Sequence, residues 1–147
     1  MPVTEIAFHF GAPDRLAYAC RILRKASTSG HRVWVVADPD VLARLDTDLW
    51  ALSATDFVTH CSASAAPQVR SRSAVVLAVS THARDANATV LLNLGDAVPD
   101  DYGSFARLIE VVSQDGPDRV PARARWKAYT AEGYTITRHD VASRANA

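Results

Sequence analysis

Neither a CxxC pair, a phosphate-binding glycine loop, a histidine cluster, a surplus of charge nor a long apolar run is present in this 147-residue sequence, and each lack removes a class of function. The two cysteines, Cys20 and Cys61, stand alone, so a disulfide scaffold or thiol-based metal site is not expected; they read as small hydrophobes in a reducing compartment. The longest apolar run, Ala74 to Val79, suits a strand and falls far short of the roughly 20 residues of a membrane helix. The first ten residues carry Glu5 and reach Gly11 without the charged and apolar regions of a signal peptide, so a cytoplasmic location is expected. Sixteen basic residues balance sixteen acidic ones. This argues against a dedicated nucleic-acid binder, whose affinity rests largely on neutralising phosphates.

The balance is uneven along the chain. Residues 96–118 hold six acids and one base, whereas residues 119–147 hold six bases and two acids. A local basic patch on a neutral protein points to a local acidic partner.

At 48% hydrophobic and 22% charged, the composition is that of one globular domain. Ile6, Phe8 and Phe10 alternate with polar or small residues, giving a strand over 4–10 that Gly11 to Asp14 should break. Leu16, Ala19, Cys20, Leu23 and Ala26 recur at helical spacing over 14–29. Residues 32–37 read as a strand buried on both faces, and Asp38-Pro39 opens a second helix to Trp50. Further strands are expected at 74–80, 89–94, 106–112 and 134–139, and a last helix at 115–132. Residues 61–73 read as a loop. The fold expected is a single α/β domain over 1–141, a mostly parallel sheet flanked by helices and Rossmann-like without a nucleotide-binding glycine loop, followed by a flexible tail at 142–147.

Enzyme chemistry finds little support. The first strand-to-helix turn has one glycine, where a dinucleotide site needs GxGxxG, and Pro13 removes an amide an anion would use. His9, His31, His60, His82 and His139 are scattered, and His60 and Cys61 are neighbours on a strand, facing opposite ways. No catalytic residue, metal or cofactor is expected.

The informative segment is Arg123 to Ile136, RARWKAYTAEGYTI. On a helix, Arg119, Arg123, Trp126, Lys127 and Thr130 share one broad stripe, while Val120, Ala124, Ala128 and Ala131 form a small apolar stripe expected to pack on the sheet. Cations beside an indole suit an acidic peptide with an apolar anchor; the same aromatics could equally be the rim of the core. The run Arg-x-Arg-Trp-Lys-x-Tyr, followed by Gly133 and Tyr134, resembles the closing motif of the chi subunit family of bacterial DNA polymerase III. Residues 45–60, LDTDLWALSATDFVTH, resemble that family's Leu-Asp-x-x-Leu-Trp and following Phe-x-x-His.

The resemblance implies a non-catalytic subunit on the clamp-loader side of the replicase. It implies binding of the acidic C-terminal tail of single-stranded-DNA-binding protein, which ends in Pro-Phe, and pairing with a psi subunit. Arg123 and Lys127, helped by Arg125, would meet the tail's carboxylates. Trp126, Tyr129 and Tyr134, with Gly133 as floor and Val111 or Val112 beside them, would hold the terminal Phe. Trp50, Leu52, Phe57 and Val58 would face psi or serve structure alone. Two other readings stay open: an α/β nucleotide-binding enzyme with an unrecognised site, and a direct single-stranded DNA binder that stacks bases on Trp126 and Tyr129.

Overall fold

The computed structural model describes residues 4–52, 58–82 and 84–141. Phe57 and the expected tail at 142–147 lie outside them. The elements are β1 (Glu5–Ala12), α1 (Arg15–Thr28), β2 (Val33–Val36), α2 (Pro39–Trp50), β3 (His60–Ser62), α3 (Pro67–Ser71), β4 (Val75–Ala78), β5 (Val90–Asn93), β6 (Arg107–Ser113), α4 (Gly116–Ala131) and β7 (Ile136–Asp140). The strands form one sheet in the order β3-β4-β2-β5-β6-β1-β7, with every pairing parallel.

An all-parallel sheet needs cover on both faces, and the sequence supplies two apolar sets. Helices α1 and α2 pack through Leu16, Leu23, Leu45 and Leu49 against Val33, Val35, Leu92 and Val111. The other face holds Phe8, Trp34, Leu91, Leu108 and Val112 under Ala122 and Tyr129 of α4 and Phe105 of the loop before β6. The even and odd residues of β6 therefore serve different cores.

Two local expectations are corrected. Residues 61–73 are no simple loop: they contain most of edge strand β3 and the short helix α3, whose Arg70 reaches back to the carbonyls of Ala63 and Ala65. Such short elements lack the length for a periodic signal. Gly11 also does not end β1, which runs on to Ala12. Its φ of 77° lets the strand slip register against β6 between His9 and Ala12, as in a bulge that a larger side chain would resist.

Helix α1 starts where a capping residue stands. Asp14 is extended, and its carboxylate accepts from the Ala17 amide at 3.1 Å. Asp14→Ala should cost about 1 kcal/mol, read as a lower denaturant midpoint at unchanged slope. Cys20 lies buried on the inner face of α1; burial, then Asp48 and Asp14, push its thiol up to about 11, so it packs as an uncharged group.

Candidate functional site

The register of α4 is set by a carboxylate. Glu110 lies mid-way along β6, fully buried among apolar neighbours. Arg125 Nε donates to its Oε1 at 3.1 Å, and the Tyr129 hydroxyl and Asn93 Nδ2 donate to its Oε2 at 2.6 and 3.0 Å. Burial pushes the Glu110 carboxyl above its usual range, against the pull of Arg125, Tyr129 and Asn93. Three donors converge on its two oxygens, an arrangement that favours the charged carboxylate against its burial. Burial and the adjacent Glu110 charge push the Tyr129 phenol far up, which keeps it a donor. The network reaches the loop after β5: Arg125 Nη1 donates to the Asp96 carbonyl at 2.9 Å and Asn93 Nδ2 to that of Ala97 at 3.2 Å.

This anchor turns α4 differently from the expectation. Ala122, Arg125 and Tyr129 face the sheet, while Val120, Ala124 and Ala131 are exposed, Val120 at 68%. The small apolar stripe thus faces solvent, because a buried charge left unpaired costs more than an exposed valine. Arg125, at 2% exposure, is half of an internal ion pair and is no surface contact for a peptide. Tyr129 is fully buried. Val111 faces the α1–α2 core on the opposite side of the sheet, and Val112 lies fully buried beneath α4.

The remaining residues of the segment are accessible. Arg123 and Lys127 are exposed, and Trp126 is half-buried, its ring 5.0 Å from that of Phe8 and 5.8 Å from that of Phe10. Arg119, Arg123 and Thr130 stand seven and three residues before Trp126 and four after it, on the same flank of α4. Gly133, with φ of 93°, ends the helix in the left-handed region. Tyr134 packs on Tyr102 at 5.4 Å with its hydroxyl over Gly103, so it joins the aromatic row through Tyr102 and Tyr129. The expected single pocket of Trp126, Tyr129 and Tyr134 is therefore divided, with buried Tyr129 between its half-buried ends.

The structure adds residues that the helix pattern alone did not place. Ile136 and Arg138 of β7 share the α4 side of the sheet with Phe8 and Phe10, and the Arg138 guanidinium lies 4.8 Å over the Phe10 ring. Partly buried Phe10 thus lies against both Trp126 of α4 and Arg138 of β7. The signal was present in Phe8 and Phe10 alternating on one face, but only the neighbouring β7 brings Arg138 to them.

The second expected cluster separates. Val58 is fully buried in the α1–α2 core and Leu52 packs against it, so both serve structure. Trp50 is 60% exposed, its ring 4.8 Å from that of His60. His60 is held in turn by the Val58 carbonyl at 2.8 Å and stands 3.1 Å from Asp46 Oδ1.

At the carboxyl ends of the strands, where open α/β sheets take ligands, a cleft of about 830 Å³ is lined by Asp14, Arg15, Arg44, Asp96, Asp115 and Asp118 among others. Arg15 turns inward to the carbonyls of Val111 and Leu94. The cap at Asp14 occupies the Ala17 amide of α1, and Asp115 and Asp118 bring negative charge to the start of α4, which disfavours an anion there. Among the described residues no three His, Cys, Asp or Glu side chains gather as metal ligands, and no helix is long and apolar enough to cross a membrane.

The fold is similar to that of the C-terminal domain of S. cerevisiae Dbp5 bound to Gle1 and IP6, with a TM-score of 0.58 and 13% identity over 94% of this chain and 90% of that one. A second structure of the C-terminal domain of the DEAD-box protein Dbp5 gives a TM-score of 0.53 at 14% identity, covering 93% and 89%. At that identity the likeness speaks to the α/β fold. In sequence, the chain is 29% identical to DNA polymerase III subunit chi of Escherichia coli strain K12 over 118 residues, 80% of this chain and 79% of that one. It is 29% identical to the subunit chi of Pseudomonas aeruginosa over 126 residues, 85% of each, and 24% identical to that of Haemophilus influenzae over 124 residues, 84% and 85%. The family model described as "DNA polymerase III chi subunit, HolC" matches residues 3–137, and the chain belongs to that family.

Proposed function

We propose that this chain serves DNA polymerase III as a non-catalytic binding subunit that holds the acidic C-terminal tail of single-stranded-DNA-binding protein on the outer flank of α4. One observation carries the reading: exposed Arg123 and Lys127 flank a half-buried indole that rests on Phe8 and Phe10. An apolar end group can lie against the aromatic surface while the cations meet carboxylates. Arg123 suits a bidentate grip on a terminal carboxylate, and Lys127 acts as a point charge. Gly133 and Tyr134 close the far end of the same helix and offer an accessory contact. The exposed Trp50 is the residue we assign to a psi-type partner or to the clamp loader, since exposed tryptophans are favoured anchors.

The test is calorimetric titration with the C-terminal tail peptide of single-stranded-DNA-binding protein from the same organism, beside a peptide lacking the final Phe. Binding near the micromolar range, about −8 kcal/mol, that disappears with the Phe is the expected result. A folded sample that binds neither peptide ends the reading. Binding of single-stranded oligonucleotide in the absence of any partner would instead favour base stacking on Trp126.

A further inference from the structure

We infer that the rim formed by the amino ends of β4, β2, β5 and β6 is a second binding surface, which holds the phosphate backbone of duplex DNA without reading its sequence. It is separate from the α4 flank given to the tail and works whether or not a tail is bound there.

Every strand pairing is parallel, so residues that precede strands gather at one end of the sheet and residues that follow them at the other. The zero net charge is divided between these two ends. Asp14, Asp38, Asp96 and Asp115 follow β1, β2, β5 and β6. At the opposite end Arg72 precedes β4, Arg32 precedes β2 and Arg107 opens β6. Arg84 precedes β5; its guanidinium lies 3.9 Å over the Phe105 ring and donates through Nη2 to the Ser104 carbonyl at 3.2 Å. These four strands are consecutive in the sheet. At about 4.8 Å per strand, their arginines form a row about 15 Å long.

The charge of this row is largely uncompensated. Arg32 donates to the Ser73 carbonyl at 2.8 Å, so both it and Arg84 are held by carbonyls and keep their full charge. Arg72 is exposed and, among the described residues, has no carboxylate partner. Arg107 is paired, with Glu5 at 3.2 Å. Asp85, beside Arg84, is taken by Arg70 at 3.3 Å, and Asp46 stands 3.1 Å from His60. Residues 1–3 and 83, next to the rim in sequence, carry no acidic side chain. Arg84, Arg107 and exposed His31 line a groove of about 740 Å³. Arg84 Nη1 is shut off from water there and finds no acceptor among the described residues.

Arginine forks match phosphate oxygens, and a duplex offers a charge about every 1.7 Å along its axis. The rim has cations and little else. Trp34 and Phe105 are buried, so a single strand finds no ring there on which to stack its bases. Phe105 lies beneath Arg84 and leaves an acidic peptide no pocket for an apolar anchor. The same ring fixes the guanidinium in place before any phosphate arrives.

The experiment is fluorescence anisotropy of a labelled duplex oligonucleotide titrated with the full chain over a range of salt. Three uncompensated arginines predict that the logarithm of the binding constant falls with that of salt at a slope of about −3. Arg72→Gln combined with Arg84→Gln should bring the slope to about −1 and weaken binding at low salt by about tenfold or more. Arg123→Ala combined with Lys127→Ala should leave both unchanged. Native protein without salt-dependent duplex binding overturns the inference, as does a folded Arg72→Gln, Arg84→Gln variant that binds like native. Single-stranded oligonucleotide or polyglutamate bound as tightly as the duplex overturns it too, by giving the rim another partner. Should the double variant fold poorly, Arg72→Gln alone decides, with a slope expected to be shallower by about 1.

Discussion

Arg125→Ala is expected to lower the unfolding free energy by about 3–5 kcal/mol. Glu110 would be left in a fully buried site with its cation gone, either charged with only the Tyr129 hydroxyl and the Asn93 amide as donors or protonated at a cost. The Asp96 carbonyl would lose its donor as well. Domains of this kind are stable by about 5–15 kcal/mol, so the variant should stand near the limit of folding at 37 °C. Chemical denaturation of both proteins, followed by circular dichroism, checks it. The double variant Glu110→Leu with Arg125→Leu removes the charge along with its partner. It should regain about 1–3 kcal/mol of the loss. A single variant as stable as the native protein would show that Glu110 and Arg125 do not fix α4.

The opposite result is expected two positions away. Arg123→Ala combined with Lys127→Ala should leave stability within about 0.5 kcal/mol of native, since both side chains are exposed. It should weaken binding of the acidic tail peptide by about 2–3 kcal/mol, or roughly 30- to 150-fold. Calorimetry measures the affinity, and repeating it at higher salt should narrow the gap between native and variant, because the lost contribution is one between exposed charges. Unchanged affinity in a folded double variant would take the site off α4. Arg123 and Arg125 are the same residue type in one short motif, and these two experiments separate their roles.

That pair also shows what the sequence carried. Most elements were legible: β1, α1, α2 and α4 follow from period and capping, because burial of one face imposes a repeat over enough residues to see, and β2, β4, β5 and β6 from their apolar runs. The short β3 and α3 were not, because they carry neither a repeat nor an apolar run. The rotation of α4 was misjudged for a different reason. Apolar residues were assumed to point inward, yet Glu110, isolated in the apolar run of β6, draws Arg125 and Tyr129 in and pushes Val120 out. One acid in a central strand was the available clue, since it demands a cation from whatever packs above it. Arg138 was unreadable in its role because its neighbours Phe8 and Phe10 are distant in sequence and meet it only once the sheet forms.

The place of β1 in the sheet bears on the order in which the protein can be made. The first described strand sits between the last two, with Glu5 paired to Arg107, 102 positions further along the chain. Strands β2 to β5 can associate while the ribosome is still translating. The apolar face of β1 must wait for β6 and β7, and such distant pairing is slow to close. The aromatic floor formed by Phe8, Phe10 and Trp126 joins the two extremes of the described chain. The surface proposed for the tail therefore forms only once α4 has joined β1, late among the described elements.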